Sequence, residues 1–394
     1  MPLISVSPAA VSNKRSNLWN NLLFSFFGLG LIGGSIARAI RASHPDCFIR
    51  ACDTDSSTLR LALEEGVIDE ASERIDEENG MTFTDCDFLF LCAPVSQNDS
   101  NLRLIRKFLL SEGRAHSNCI LTDVGSVKST IHASIEELGL TSCFIGGHPM
   151  AGSERIGFQN SKASLLENAY YILTPTSDVS GEQAERYAAL VKAMGAIPLI
   201  LDYRQHDYVT AAISHLPHVI ASSLVNLVKA SDNEDGIMKL VAAGGFKDIT
   251  RIASSSTVMW QQICLTNKEN ISQLLERYIS SLEKVKDEID RSDAAQLYHF
   301  FDTARSYRDS FIDASSGPIK RVYTINVEIP DEAGSLASVA TLLALNHISI
   351  KNIGIVHNRE SEDGVLRIEF YEEASIEKAE KLLGSRGYMV FLKK

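Results

Sequence analysis

The stretch Gly146-Gly147-His148-Pro149-Met150-Ala151-Gly152-Ser153-Glu154-Arg155-Ile156-Gly157 sets an imidazole between glycines. It follows Cys143-Phe144-Ile145, a short apolar run that reads as a strand, so His148 is expected just past a strand's carboxyl end. In an open parallel sheet that edge is where ligands bind. Glycines on both sides would let backbone approach a ligand, and Pro149 would set the turn. A neutral imidazole there can take a proton from a substrate hydroxyl near neutral pH. An isolated loop histidine would do no chemistry, so the neighbouring motifs decide.

Upstream, Gly28-Leu29-Gly30-Leu31-Ile32-Gly33 follows an apolar strand at residues 22–27 and precedes a helical segment running through Ile40. In that setting the glycines allow a tight turn, close approach of a pyrophosphate and helix–strand contact, and the helix N-terminus offers unpaired N–H groups to phosphate. A second strand, residues 48–52, ends at Asp53. A carboxylate there accepts hydrogen bonds from ribose hydroxyls and repels a 2′-phosphate, which favours NAD over NADP; the plainer reading is a helix cap. Ala93-Pro94-Val95 and Asp123-Val124-Gly125-Ser126 end two further strands and should open onto the same crevice. Ser126 either caps the following helix or touches His148 or substrate. Further on, Pro217 within Ser214-His215-Leu216-Pro217-His218 should kink a helix and turn His215 or His218 towards a site. Arg251, in Phe246-Lys247-Asp248-Ile249-Thr250-Arg251, could grip a carboxylate bidentately.

The elements that must position these groups follow from pattern. Residues 1–20 are polar and aperiodic and read as a loose tail. From 21 to 203, strand-like runs at 22–27, 48–52, 88–93, 119–124, 143–145, 170–174 and 197–201 alternate with helical segments, the mark of a doubly wound parallel α/β sheet. From 204 to 314 there are only long amphipathic helices, whose apolar faces are expected to pair across a dimer. After Ser315-Ser316-Gly317-Pro318, residues 320–394 read as βαββαβ, a ferredoxin-like module.

Composition narrows the partners. With 394 residues, 45% of them hydrophobic, the chain can bury a core of two or three domains. A formal net charge of −12 argues against nucleic acid and anionic membrane surfaces, which need a basic face. Seven cysteines without a CxxC pair, most of them beside apolar strand-like runs, point to a reducing compartment and no metal site. Lys14 and Arg15 before the apolar run at 22–32 imitate a signal peptide, but the same residues make the strand and glycine fingerprint. No other run reads as long and apolar enough to span a bilayer.

Taken in order, Gly146-Gly147-His148-Pro149-Met150-Ala151-Gly152, Ser214-His215-Leu216-Pro217-His218 and Phe246-Lys247-Asp248-Ile249-Thr250-Arg251-Ile252-Ala253 make the chain resemble the prephenate dehydrogenase family with a C-terminal ACT regulatory domain. The resemblance covers nearly everything after the tail. It implies a Rossmann-type fold, NAD as cofactor, a cytoplasmic homodimer, and oxidative decarboxylation of prephenate to 4-hydroxyphenylpyruvate in tyrosine biosynthesis. By the same resemblance His148 is the catalytic base and Ser126 its helper. Arg251, His218 and Trp260 bind substrate, with His215, Ser153 and Glu154 beside them; Ile156 replaces a residue that usually carries a hydroxyl. The cofactor would meet Gly28, Leu29, Gly30, Leu31, Ile32, Gly33, Asp53, Ala93, Pro94, Val95 and Asp123. In the last domain, Asp331, Gly334, Leu336 and Asn352 would hold an amino-acid effector, by implication tyrosine. Arogenate is the alternative substrate, with an amino group in place of the side-chain keto group. A β-hydroxyacid dehydrogenase would leave the His148 motif and the last module unexplained. A non-catalytic NAD and amino-acid sensor has no need of His148 and Arg251.

Overall fold

The computed structural model describes residues 22–76, 79–110, 119–153, 155–313, 323–330, 332, 334–356 and 364–392. The tail at 1–20, Glu154 and Asp331 lie outside the described residues. The chain divides into two compact units between Asp290 and Arg291.

The first unit opens with β1 (Leu23–Phe27), α1 (Leu31–Ser43), β2 (Phe48–Cys52), α2 (Ser56–Glu64), β3 (Glu70–Ser72), α3 (Gly80–Thr84), β4 (Phe88–Leu91), α4 (Asn98–Leu109), β5 (Ile120–Asp123) and α5 (Ser129–Leu138). The strands form a parallel sheet in the order β3-β2-β1-β4-β5. Its central strands β1 and β4 are apolar but for Ser25, whose hydroxyl donates to the Phe83 carbonyl, because both faces are covered, as in parallel sheets. Phe24 stacks on Phe88 at 5.6 Å and Phe26 on Phe90 at 4.8 Å between ring centroids, all four rings fully buried. The short β3, a Glu-Ala-Ser segment, has too little apolar character to be read as a strand from sequence.

Next come β6 (Ile145–Pro149), β7 (Tyr170–Pro175), α6 (Gly181–Ala193) and β8 (Ile197–Ile200), a sheet in the order β6-β7-β8. A bridge from Leu121 to Phe144, with the Leu121 N–H on the Cys143 carbonyl at 2.8 Å, carries β5 over to the β6 side. The expectation of parallel strands throughout is corrected at β7, which runs antiparallel to β6. A parallel return needs a crossover helix. Among the described residues between β6 and β7 the helical turns are 3₁₀, Phe158–Asn160 and Ala163–Leu166.

Asp202 then starts the helical part, its carboxylate accepting the N–H groups of Arg204 and Gln205. α7 (Tyr203–Thr210) runs through a π turn, Ala211–His215, into α8 (Leu216–Ser231). The kink expected at Pro217 takes this form: proline has no N–H to return, and the Leu216 N–H reaches back to the Ala211 carbonyl. α9 (Ile237–Val241), α10 (Gly244–Thr250), a 3₁₀ turn at Arg251–Ser254, α11 (Thr257–Thr266) and α12 (Lys268–Asp290) complete the unit. The continuous helix Tyr203–Ser231, 29 residues, is long and apolar enough to cross a membrane, which corrects the reading that no such run exists. Interface helices and membrane spans share that composition, since both take apolar side chains out of water. Leu227, Leu240, Val241, Ile249, Val258, Leu265, Ile279 and Leu282 stand exposed on the helical part of a single chain.

The second unit holds α13 (Ala294–Asp313), β9 (Tyr323–Ile329), α14 (Ser335–Leu345), β10 (Ile350–Val356), β11 (Gly364–Phe370), α15 (Ala374–Gly384) and β12 (Val390–Leu392). The antiparallel order β10-β11-β9-β12 is the ferredoxin-like arrangement, with Ile325, Val327, Leu366, Ile368 and Phe370 buried beneath Val339, Leu343, Ala379 and Leu383. α13, expected to close the helical domain at 314, falls on the C-terminal side of the division.

Candidate active site

The turn after β1 is built by its glycines. Gly28 holds φ at +93°, and a Cβ there would lie 2.6 Å from the Ala93 backbone nitrogen. At Gly33 a Cβ would meet the Gly28 carbonyl at 2.7 Å, so this glycine lets α1 pack on the turn. Gly30 differs: a Cβ would meet nothing within 4 Å. It precedes α1 without any side-chain cap, so backbone N–H groups at the helix start face open space suited to a pyrophosphate. Asp53 accepts the Leu29 N–H at 2.7 Å and the Asp55 N–H at 2.9 Å, each oxygen keeping a lone pair for a ribose hydroxyl. Asp55, not Asp53, caps α2. Leu31 and Ile32 sit half-buried in the first turn of α1, and Ala93, Pro94 and Val95 follow β4 beside Gly28. Leu29 is corrected: its side chain is fully buried and its N–H belongs to Asp53, so it serves the turn. The turn, the start of α1 and Asp53 fit a dinucleotide.

His148 lies within β6 opposite Ile172, not beyond a strand end. The glycines before it serve strand packing: a Cβ on Gly146 would lie 2.4 Å from Thr174 Oγ1, and one on Gly147 would lie 2.7 Å from the Asp123 carbonyl. The half-buried His148 ring holds His206 through Nδ1–Nε2 at 2.8 Å. His206 Nδ1 in turn holds Asp207 Oδ1 at 2.8 Å. Asp207 also accepts the N–H groups of Lys128 at 2.8 Å and Ser129 at 2.7 Å, and the Ser129 hydroxyl. Ser126 is half-buried in the loop after β5, and the residue at the N-cap position of α5 is Lys128, so Ser126 does not cap that helix. Among the described residues no hydrogen bond joins it to His148; the partner there is His206.

Asp123, expected to meet the cofactor, is corrected to an internal role. It is 1% exposed and takes the Lys128 ammonium at 2.5 Å. Lys128, wholly buried, also donates to the Gly147 carbonyl at 2.7 Å and so ties the end of β5 to the strand carrying His148. Burial lowers the Lys128 pKa, against the pull of the Asp123 carboxylate. Burial, then the neighbouring His206, Lys128 and His215, push the His148 pKa well below 6.5, leaving a neutral base. For Asp207, burial opposes ionisation, yet hydrogen bonds from His206, Ser129 and the α5 backbone hold its carboxyl below the ordinary value.

The helical part contributes a second group. His215 is buried, its Nδ1 3.1 Å from Asn267 Nδ2, and Asn267 Nδ2 also donates to the Asp207 carbonyl at 2.8 Å. In an unbroken α-helix, at about 100° per residue, Asp207 and His215 would stand about 80° apart; the extra residue of the π turn brings them nearly into line. His218 bonds the Ser214 carbonyl at 2.9 Å and lies face to face with Trp260, centroids 3.5 Å apart. His215 meets the same indole edge-on at 6.0 Å. The indole N–H is buried without a partner among the described residues, a donor left for a ligand. Arg251 begins the 3₁₀ turn, exposed, its charge near enough to His218 to disfavour protonation there. Ser153 is exposed and accepts the Arg155 N–H at 3.1 Å, and Ile156 is exposed. In the second unit Gly334 holds φ at +100° before α14, Leu336 is exposed on its first turn, and Asn352 lies on β10 with Oδ1 on the Ile353 N–H.

The sequence reading passed over His206, Asp207, Lys128 and Asn267. The available signal was the adjacent His-Asp pair in the first turns of an otherwise apolar helix.

Residues 36–198 match the family model described as prephenate dehydrogenase, nucleotide-binding domain, and 202–303 match prephenate dehydrogenase, dimerization domain. A prephenate dehydrogenase of Bacillus subtilis is 37% identical over 364 residues, covering 91% of this chain and 95% of the relative. The solved prephenate dehydrogenase from Aquifex aeolicus, in complex with hydroxyphenyl propionate and NAD+, is 31% identical with a TM-score of 0.67, covering 74% of this chain and 98% of that one. A Synechocystis arogenate dehydrogenase is 26% identical with a TM-score of 0.65, covering 74% of this chain and 100% of that one.

Proposed function

This chain belongs to the prephenate dehydrogenase family, and from that premise we propose the following reading of its site. The enzyme carries out NAD-dependent oxidative decarboxylation of prephenate to 4-hydroxyphenylpyruvate. The observation that carries this is the His148 imidazole, braced by His206 and Asp207 in the compact unit that also bears the glycine turn. NAD, when bound, supplies the hydride acceptor. His148 takes the C4 hydroxyl proton at Nε2 as hydride leaves C4; the forming carbonyl draws the electrons of the breaking C–carboxylate bond, carbon dioxide departs, and the ring becomes aromatic. Because aromatisation drives the reaction, the protein's task is orientation and proton transfer.

Arg251 is assigned to the side-chain carboxylate, since a clamp on the departing one would stabilise the ground state and slow its loss. Trp260 and His218 form a stacked wall beside it, with the free indole N–H available to a substrate oxygen. Ser126 is assigned to orient His148 or the substrate hydroxyl, and His215, Ser153 and Glu154 keep the substrate-binding roles that the resemblance implies. The exposed apolar side chains of the helical part are covered by a second copy of the chain, giving a homodimer. The ferredoxin-like unit acts as an ACT domain that takes tyrosine near Asp331, Gly334, Leu336 and Asn352. Seven cysteines, most of them buried in or beside the strands and none in a CxxC pair, suit the cytoplasm.

One experiment tests the reaction and its specificity together: initial rates of reduced cofactor formation with prephenate or arogenate, each with NAD or NADP. Prephenate with NAD is expected to give the highest kcat/KM. A clear preference for arogenate would replace the substrate assignment, and no turnover of either would remove the function.

A further inference from the structure

We propose that Asp207 and His206 form a hydrogen-bond relay that holds His148 in the tautomer with its lone pair at Nε2. This positioning role rests on the reaction proposed above. Asp207 is fully buried and surrounded by donors: two backbone N–H groups at the start of α5, the Ser129 hydroxyl and His206 Nδ1. An ionised carboxylate accepts and cannot donate, so the shared proton sits on His206 Nδ1. A neutral His206 then presents a bare Nε2, which can only accept. The 2.8 Å contact to His148 must be filled by the His148 Nδ1–H, and that leaves His148 Nε2 bare. The opposite tautomers would set a lone pair on His206 Nδ1 against the carboxylate, a repulsive contact in a dry site.

The relay also decides where charge goes. When His148 takes the hydroxyl proton at Nε2, the imidazolium keeps its Nδ1–H on His206, and the Asp207 carboxylate stabilises the new positive charge through that neutral ring. The other charged or titratable groups facing His148 are Lys128 and Asp123 after β5 and His215 on the π turn. The Asp123 carboxylate is taken up by the Lys128 ammonium, so Asp207 is the anion left to answer a cation on His148. The three members come from two elements, His148 on β6 and His206 with Asp207 on α7, and backbone N–H groups at the start of α5 donate to the carboxylate. Seating α7 against α5 therefore orients the base.

The test is two-bond ¹⁵N–¹H correlation of the histidine rings at neutral pH, with His148 assigned by its absence in His148→Asn, alongside steady-state kinetics. In the unsubstituted enzyme His148 is expected protonated at Nδ1 and bare at Nε2. Asp207→Asn can turn its amide N–H towards His206 Nδ1 and reverse both tautomers, so kcat should fall about 10²-fold or more while KM for prephenate stays within about twofold. His206→Gln can accept from His148 and donate to Asp207 in the same direction, and should run at least about tenfold faster than His206→Leu. A proton on His148 Nε2 in the unsubstituted enzyme would overturn the relay. So would a folded Asp207→Asn variant with undiminished kcat, or equal losses in His206→Gln and His206→Leu. If Asp207→Asn does not fold, the ring spectra and the His206 pair still decide. Absence of any turnover in the unsubstituted enzyme sinks the proposed reaction instead, and the ring spectra report on the relay independently.

Discussion

At His148 one imidazole has its side chain in a crevice and its backbone in a strand ladder, and the two facts are connected. Strand pairing with Ile172 fixes the backbone, and His206 fixes the ring plane, so little freedom remains before substrate arrives. Residues that act on the reacting atoms and residues that hold the substrate should separate kinetically. His148→Asn is expected to lower kcat about 10²-fold or more with KM little changed, the scale of a lost general base. Arg251→Ala should chiefly raise KM, since it removes a contact made equally in ground and transition states. Measuring both variants under saturating NAD checks the split; a near-normal kcat for His148→Asn or a normal KM for Arg251→Ala removes that residue from its role. Both residues were legible in the sequence because their motifs are contiguous. His206 was not, because its one local mark, the adjoining Asp207 near the start of a helix, does not say that the ring meets His148 58 positions away.

Among the elements, the loop from β5 into α5 joins the sheet to the site. Its Lys128 ammonium is buried between the Asp123 carboxylate and the Gly147 carbonyl, while its N–H and that of Ser129 hold Asp207. Breaking such a pair from one side strands a charge away from water. Lys128→Met is expected to cost about 3–5 kcal/mol of stability. Asp123→Asn added to it should recover part of that loss, because an amide is cheaper to bury than an unpaired carboxylate. Chemical denaturation of the single and double variants measures both; equal stability of Lys128→Met and the unsubstituted protein would mean the pair is not what secures β6. The π turn works at the same scale. By absorbing one residue it lets His215 share a side of the helix with Asp207, an alignment that a 3.6-residue period does not produce.

Across the whole molecule, histidines kept neutral by burial make folding sensitive to acid. Burial, reinforced by Lys128, holds His132 down to about 4, and burial likewise holds His215 down to about 4. Between the ordinary value of 6.5 and about 4 the unfolded chain takes up protons that the folded chain refuses. Their contribution is complete above about 6.5 and is lost as pH falls towards 4, amounting to roughly 5–7 kcal/mol together at the acid end. Urea midpoints measured at about pH 7 and about pH 4.5 should show that loss, and equal midpoints would exclude it.

The amino-acid sequence by itself determined the order of the principal strands and helices, the glycine turn, the acid after β2 and the histidine motif from which the base is proposed, because each is written in neighbouring residues and their periodicity. Only the tertiary structure decided that β7 returns antiparallel, that Asp123 is consumed by Lys128, and that His206 and Asp207 stand behind His148. Those outcomes depend on groups far apart in the chain, 58 residues between His148 and His206 and 79 between Lys128 and Asp207. A buried donor or acceptor takes whichever partner the packing brings within reach, and no local pattern specifies that partner.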